Sequence, residues 1–322
     1  MTITPPVQVS IVVPVYRSHQ TLARCLEALS RQTRRDFETI LVDSSPGREC
    51  EEVVAVQGGA VPAVPGLRFT RSPRRLLPQE AREVGLALAR APLLLFTDPD
   101  CYPAPDWVER LLAAQAAAGG PVCGALACHG RRWLDRGVHL CKFSKWLPAG
   151  GRRAVDMGPT AALLIPRQLF DRAGGFGGQS LLGDTSLSWT LRRGGETIWF
   201  EPGAVTEHHH LQTFRSFVAE RYRRGKLFAR LRLGWLGAGR PGAAVYLVAS
   251  ALPVRLATNL AHTARHAARA GMLGALAACL PVVVAGHGAA LAGEAVAYAG
   301  CLLRRGARER SGSELSAAAG RR

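Results

Sequence analysis

Four consecutive large apolar residues, Leu93-Leu94-Leu95-Phe96, run straight into Thr97-Asp98-Pro99-Asp100. An unbroken apolar run of this length predicts a strand buried on both faces, and such strands belong to sheets covered by helices on each side. That restricts the chain to a layered α/β class. The same strand carries two carboxylates, one residue apart, to the edge of the sheet, where open α/β sheets bind their ligands. Asp and Pro are also ordinary turn residues, so this run alone leaves a plain turn and a ligand site both open.

The preceding residues repeat the pattern. Val9-Ser10-Ile11-Val12-Val13-Pro14-Val15-Tyr16 reads as a buried first strand. Between Thr21 and Arg31, Leu22, Cys25, Leu26 and Leu29 share one helical face. Phe37 to Asp43 is a second strand ending in the turn chemistry of Asp43-Ser44-Ser45-Pro46-Gly47. A short strand at 67–70 and a helix from Gln79 to Arg90 lead to the Leu93 strand. Asp43 and Asp98 are therefore both expected at carboxyl ends of strands in a mixed, mostly parallel sheet flanked by helices. A helix from Asp106 to Ala118 follows. Val122 to Ala127 has strand character, whereas Gly130 to Arg153 reads as basic and loop-like. Ala161 to Pro166 is expected as another buried strand, with a helix over 167–173 and glycines at 174, 175, 177 and 178 after it. The pattern then predicts a helix from about Thr185 to Arg193 with Asp184 at its N-cap, a strand from Glu196 to Phe200, and a segment leading into His208-His209-His210.

Beyond Gly234 the composition changes. Stretches at about 243–261 and 272–303 are apolar and each long enough to cross a bilayer, which needs ~20 such residues. Arg221, Arg223, Arg224, Lys226, Arg230 and Arg232 precede the first, and Arg304, Arg305, Arg308 and Arg310 follow the second. These flanks fit a two-helix hairpin with both ends cytoplasmic, against which stand Arg265 and Arg269 in the connection. Interfacial helices and a soluble helical appendage are the competing readings. The expected organisation is a domain over 1–234, a helical membrane-associated region over 235–303 and a basic, disordered tail over 304–322.

The net charge of +17, carried almost wholly by Arg because Lys occurs only at 142, 145 and 226, implies an anionic partner. No zinc ribbon, helix-turn-helix cue or aromatic-studded basic stripe is present, so nucleic acid is not the expected one. Eight cysteines lie scattered without CxxC pairs or metal-ligand spacing, as in a reducing compartment. The first ten residues lack the basic and apolar regions of a signal peptide. The first domain is accordingly expected on the cytoplasmic side of the inner membrane.

Taken in order, Val12-Val13-Pro14-Val15-Tyr16, Leu41-Val42-Asp43, Phe96-Thr97-Asp98-Pro99-Asp100, Gly174-Gly175-Phe176 and Asp184 resemble the signature of the family 2 inverting glycosyltransferases of GT-A fold. The similarity covers roughly residues 7 to 232, and the apolar carboxyl region resembles the paired helices of bacterial members. The resemblance implies transfer of a sugar from a nucleotide-sugar donor to a lipid-linked or other cell-envelope glycan acceptor, with Mn²⁺ or Mg²⁺ as cofactor. It implies Asp100 as a metal ligand, Asp98 near the ribose or the metal, and Asp43 at the nucleobase above Pro14 and Tyr16. Arg82 would lie near the nucleotide, His208 near the metal, and Asp184 would be the catalytic base.

The chain departs from the family pattern at four positions. Gly183 stands for the first acid of the pair before the helix, Ser44 for the acid after Asp43, Glu83 for an Asn and Ser186 for a later acid. Two other functions therefore compete: a catalytically weakened membrane-surface binding protein of the same fold, and a sugar nucleotidyltransferase. The latter usually needs a glycine-rich phosphate loop after the first strand, which Arg17-Ser18-His19-Gln20 does not supply.

Overall fold

The computed structural model describes residues 7–58, 63–178, 182–251 and 253–303. The tail at 304–322 lies outside them. Contacts divide the chain into two compact units, Met1–Gln212 with Thr263–Leu280 and Thr213–His262 with Pro281–Arg322.

In the first unit, β1 (Val9–Val15), α1 (His19–Ser30) and β2 (Phe37–Asp43) form a parallel βαβ unit, with Val9 opposite Phe37 and Val15 opposite Asp43. Every residue of both strands is buried, as expected for strands covered on both faces, and the polar Ser10 and Glu38 among them are joined by a hydrogen bond of 2.7 Å. α2 (Glu49–Gly58) leads to β3 (Leu67–Arg71), which lies parallel to β2. α3 (Pro78–Leu88) starts on a proline, and the Glu80 carboxylate accepts the Leu77 backbone N–H at 2.6 Å. β4 (Leu93–Phe96) then joins the other side of β1 in parallel.

The chain continues through β5 (Cys101–Pro103), α4 (Trp107–Ala118), β6 (Val122–Cys128), α5 (Trp133–Phe143), β7 (Arg153–Val155), β8 (Leu163–Pro166), α6 (Arg167–Arg172), α7 (Gly183–Arg193) and β9 (Ile198–His208). Among the described residues these make one mixed, nine-stranded sheet in the order β3-β2-β1-β4-β8-β6-β9-β5, with β7 paired to β9. Helices cover it, and the sheet and helices share one apolar core running from Val9 to Ala204.

Three expectations for the first unit are corrected. The stretch from Gly130 to Arg153, expected as loop, contains α5, whose inward face carries Asp135 and His139 beside Val138 and Leu140. The strand expected to stop at Phe200 continues to His208; Gly124 pairs with Glu201 but Ala125 with Val205, so an irregularity in the ladder absorbs Pro202, Gly203 and Ala204. Asp184 is not the N-cap of α7 but its second residue, the cap being Leu182.

In the second unit α8 (Phe214–Leu236) is capped by Thr213, whose hydroxyl accepts the Ser216 backbone N–H at 3.2 Å. α9 (Gly239–Ala251) and α10 (Pro253–Arg269) replace the single helix expected over 243–261. Pro253 supplies the reason, since it suits a helix start and not an interior. α11 (Leu273–Leu303) is continuous through Pro281 and, with a mean hydropathy of 1.9 over its most apolar window, is long and apolar enough to cross a membrane. It meets α8 without side chains between the backbones: a Cβ on Gly225 would lie 2.0 Å from the Ala290 carbonyl oxygen, and one on Gly293 2.1 Å from that of Tyr222. The one acid of α11, Glu294, is buried and receives Arg232 at 3.0 Å and Arg255 at 2.9 Å.

Candidate active site

The parallel half of the sheet delivers its carboxyl ends to one rim. Tyr16 follows β1, Asp43 is the last residue of β2, and Asp98 and Asp100 follow β4. After Phe96 the chain turns, with the Cys101 backbone N–H donating to the Asp98 carbonyl at 3.0 Å. β5 then runs antiparallel to β9 with Cys101 opposite His208, and the His209 backbone N–H donates to the Asp100 carbonyl at 2.8 Å. This three-residue strand is what brings His208 to the acids: its Nε2 lies 3.8 Å from Asp100 Oδ1.

Burial pushes the Asp98 carboxyl above its ordinary range; Arg82 opposes that, Asp100 adds to it, His208 opposes and Asp184 adds. All five groups thus share one field. Asp100 is pushed up to about 6 by burial, against the pull of the Lys142 ammonium. The Arg82 guanidinium, 2% exposed, binds Asp98 through Nη2 and Gln79 Oε1 through Nη1 at 2.9 Å. Its Nε has no hydrogen-bond partner among the described residues. Asp43 is fully buried; Oδ1 accepts the Ser45 backbone N–H at 2.9 Å, while Oδ2 has no partner among the described residues. Pro14 is buried in β1 beneath this rim, and the Tyr16 ring carries the Arg75 guanidinium 4.5 Å from its centroid.

Asp184 sits in the first turn of α7, where Oδ1 accepts the Thr185 backbone N–H at 2.8 Å. Three of the four positions that depart from the family pattern are packed in place. A Cβ on Gly183 would lie 2.8 Å from Gln79 Cγ and 3.0 Å from Phe176 Cβ, so any side chain there must displace its neighbours. The Ser186 hydroxyl donates to the Phe176 and Gly183 carbonyls at 3.1 Å, and Ser44 is buried with its backbone N–H on the Val15 carbonyl. Glu83 is exposed.

The structure therefore brings Arg82, Asp98, Asp100, Asp184 and His208 together and sets Pro14, Tyr16 and Asp43 on the same rim. Sequence reasoning missed Gln79, which both fills the space beside Gly183 and holds Arg82. It also missed Lys142, because α5 was not legible as a helix.

Residues 10–178 match glycosyl transferase family 2. The glycosyltransferase AglE of Haloferax volcanii is 27% identical over 126 residues, covering 38% of this chain and 40% of that relative's length. Among solved structures, the mannosyltransferase PcManGT from Pyrobaculum calidifontis, in complex with GDP-Man and Mn²⁺, aligns with a TM-score of 0.54 at 20% identity over 86% of this chain and 87% of that one. S. aureus TarS 1–349 in complex with UDP-GlcNAc aligns with a TM-score of 0.51 at 16% identity over 70% and 66%. The likeness to both structures is one of fold, the GT-A architecture.

Proposed function

The chain belongs to glycosyl transferase family 2, and on that premise we propose that it moves a sugar from a nucleoside-diphosphate donor to a hydroxyl of a lipid-linked or cell-envelope glycan acceptor, with inversion. The observation that carries this reading is the cluster at the carboxyl rim of the sheet: the Arg82 guanidinium on Asp98, His208 Nε2 3.8 Å from Asp100 Oδ1, and Asp184 acting on the Asp98 carboxyl. Five acids and bases of complementary role at one rim exceed what a turn requires.

Each residue then has a task. Asp43 Oδ2, buried and without a partner among the described residues, accepts an N–H from the nucleobase, with Pro14 and Tyr16 as the floor of that pocket. Arg82 holds Asp98 in place and presents its Nε toward the donor. The carboxylates of Asp98 and Asp100 are hard oxygen donors that fit Mn²⁺ or Mg²⁺, with His208 beside them. That cation, when bound, offsets the charge that grows on the departing diphosphate. The mannosyltransferase structure of the same fold contains GDP-Man and Mn²⁺, which supports both assignments.

Asp184 takes the proton of the acceptor hydroxyl as its oxygen attacks the anomeric carbon and the nucleoside diphosphate leaves. Thr185 holds Oδ1, so Oδ2 is the atom that receives the proton. A positioned carboxylate contributes roughly 10²–10⁴-fold in this role. The length and hydropathy of α11 support association with a membrane; the inner membrane, with the sheet unit on its cytoplasmic side, is the placement that belongs to this reading. The neutral residues at 183 and 186 support an adapted site rather than a failed one, since each is packed in place.

A screen of UDP-, GDP- and dTDP-sugars for donor hydrolysis, with Mn²⁺, Mg²⁺ or EDTA, tests the reading. One nucleotide class should be consumed and EDTA should stop it. No hydrolysis and no metal-dependent thermal shift with any donor would favour the surface-binding alternative.

A further inference from the structure

β6, α5 and the segment leaving β9 converge within the sheet unit, and each brings one nitrogen or sulfur ligand. Cys128 closes β6, His139 lies on α5, and His210 follows β9, two residues beyond the His208 that pairs with Cys128 in the β6/β9 register. The ligand atoms of these three residues lie within 4.8 Å of one another. His139 and His210 are 0% and 2% exposed, and Cys128 is partly exposed. We propose that Cys128, His139 and His210 form a zinc-type metal site, separate from the carboxylate site, that braces the ring on which His208 rests.

Hydrogen bonding fixes the first ligand. The Leu126 carbonyl can only accept, so His139 Nε2 carries a proton and donates it at 3.0 Å. His139 Nδ1 is left with its lone pair, and it lies 3.1 Å from His210 Nε2. Two imidazole nitrogens facing each other at that distance either share one proton or direct two lone pairs at a cation. With Zn–N bonds of about 2.0–2.1 Å, a tetrahedral ion holds its nitrogens about 3.3 Å apart, a change of a few tenths of an ångström. The Cys128 thiol donates to the Gly130 carbonyl at 3.3 Å, and a Zn–S bond of about 2.3 Å asks its sulfur to come within about 3.6 Å of each nitrogen. The His139 bond to Leu126 is the kind of outer contact that fixes the orientation of a metal-bound histidine.

Access and selectivity follow from the surroundings. Cys128 opens on a cavity lined by His129, Gly130, Arg136, Leu147 and Pro148, which offers an entry path and room for water as a fourth ligand. One thiolate and two imidazoles prefer Zn²⁺ to Mg²⁺ or Mn²⁺, which favour oxygen, so the two sites are separated by donor chemistry. The consequence reaches the acids through stacking: the His208 and His210 rings lie 4.6 Å apart at 22°. A metal on His210 Nε2 would hold that ring, and with it the face against which His208 packs.

The experiment uses the full chain purified without chelator and measures metal by mass spectrometry, then repeats the measurement after cobalt substitution. Stoichiometric zinc is expected in the unaltered protein, falling to background in Cys128→Ser and His139→Asn. The cobalt form should show the visible bands of a tetrahedral ion and a near-ultraviolet thiolate charge-transfer band that Cys128→Ser removes. Asp100→Asn should leave zinc content and cobalt spectrum unchanged, which separates this site from the carboxylate site. Zinc and cobalt at background in the unaltered protein, or a cobalt spectrum unaffected by Cys128→Ser, would overturn the proposal in favour of a hydrogen-bonded histidine pair. Because Cys128 is partly exposed, its serine variant keeps the test decisive should His139→Asn fail to fold.

Discussion

Gly183 stands where the family resemblance leads one to expect an acid, and the structure makes its replacement a quantitative test. In Gly183→Ala, the added Cβ meets Gln79 Cγ at 2.8 Å, Gln79 Cδ at 2.9 Å and Phe176 Cβ at 3.0 Å. These are not the free ends of flexible side chains: Phe176 is 1% exposed and Gln79 is tied to Arg82. Overpacking of this kind costs about 1–3 kcal/mol. The backbone of Gly183 is not left-handed, so alanine also gains about 0.5–1 kcal/mol of helix propensity. At the middle of these ranges the net expectation is a loss of about 1 kcal/mol, read by urea denaturation. Since the clash is with Gln79, Gln79→Ala should absorb most of it, giving a coupling of about 1–2 kcal/mol in a double-mutant cycle. A stabilising Gly183→Ala, or the same effect with and without Gln79, would refute the packing argument and reopen the position to an acid.

Three further outcomes are expected. Burial would raise the Glu38 carboxyl, but hydrogen bonds from Ser10 and from the backbone and side chain of Arg90 prevail and hold it below its ordinary 4.5. A carboxylate so lowered contributes stability above its unfolded value and loses it as pH falls through its folded value. Glu38→Gln should therefore cost about 2 kcal/mol at pH 7, with the gap closing in acid below that range, as followed by denaturation at several pH values. Asp43→Ala should weaken nucleotide binding roughly 10–100-fold by calorimetry, the loss of a hydrogen bond to a charged acceptor; an unchanged affinity removes Asp43 from the base pocket. Glu294→Gln leaves Arg232 and Arg255 facing each other with no counter-charge, and detergent-solubilised protein should melt earlier by an amount that Arg255→Met partly restores.

The parts of the fold legible in the sequence are those whose burial is uniform. β4 reads as an unbroken apolar run, β1 and β2 are apolar runs interrupted by Ser10 and by Glu38 and Thr39, and α1 carries a clean stripe of Leu22, Cys25, Leu26 and Leu29. α5 was hidden because its inward face mixes Asp135 and His139 with Val138 and Leu140, so hydrophobic periodicity fails where polar groups are buried in partnered positions. The Asp135 carboxylate is bound by Arg132 one turn away, and His139 by His210, a partner that only the fold supplies. β9 was cut short by Pro202 and Gly203, which an irregularity in the ladder accommodates. In the same way the acids at 43, 98, 100 and 184 could be picked out by type and order, whereas Gln79 and Lys142 could not, since their roles depend on which helix faces which strand.

Asp184→Asn, assayed for both metal-dependent nucleotide binding and sugar transfer, distinguishes a catalytic base from a structural carboxylate. Binding should stay within about twofold of the unaltered protein while transfer falls by roughly 10²–10⁴-fold, because the substitution removes a proton acceptor and leaves the Asp98 and Asp100 pair intact. Transfer retained at full rate by Asp184→Asn would remove Asp184 from the role of base.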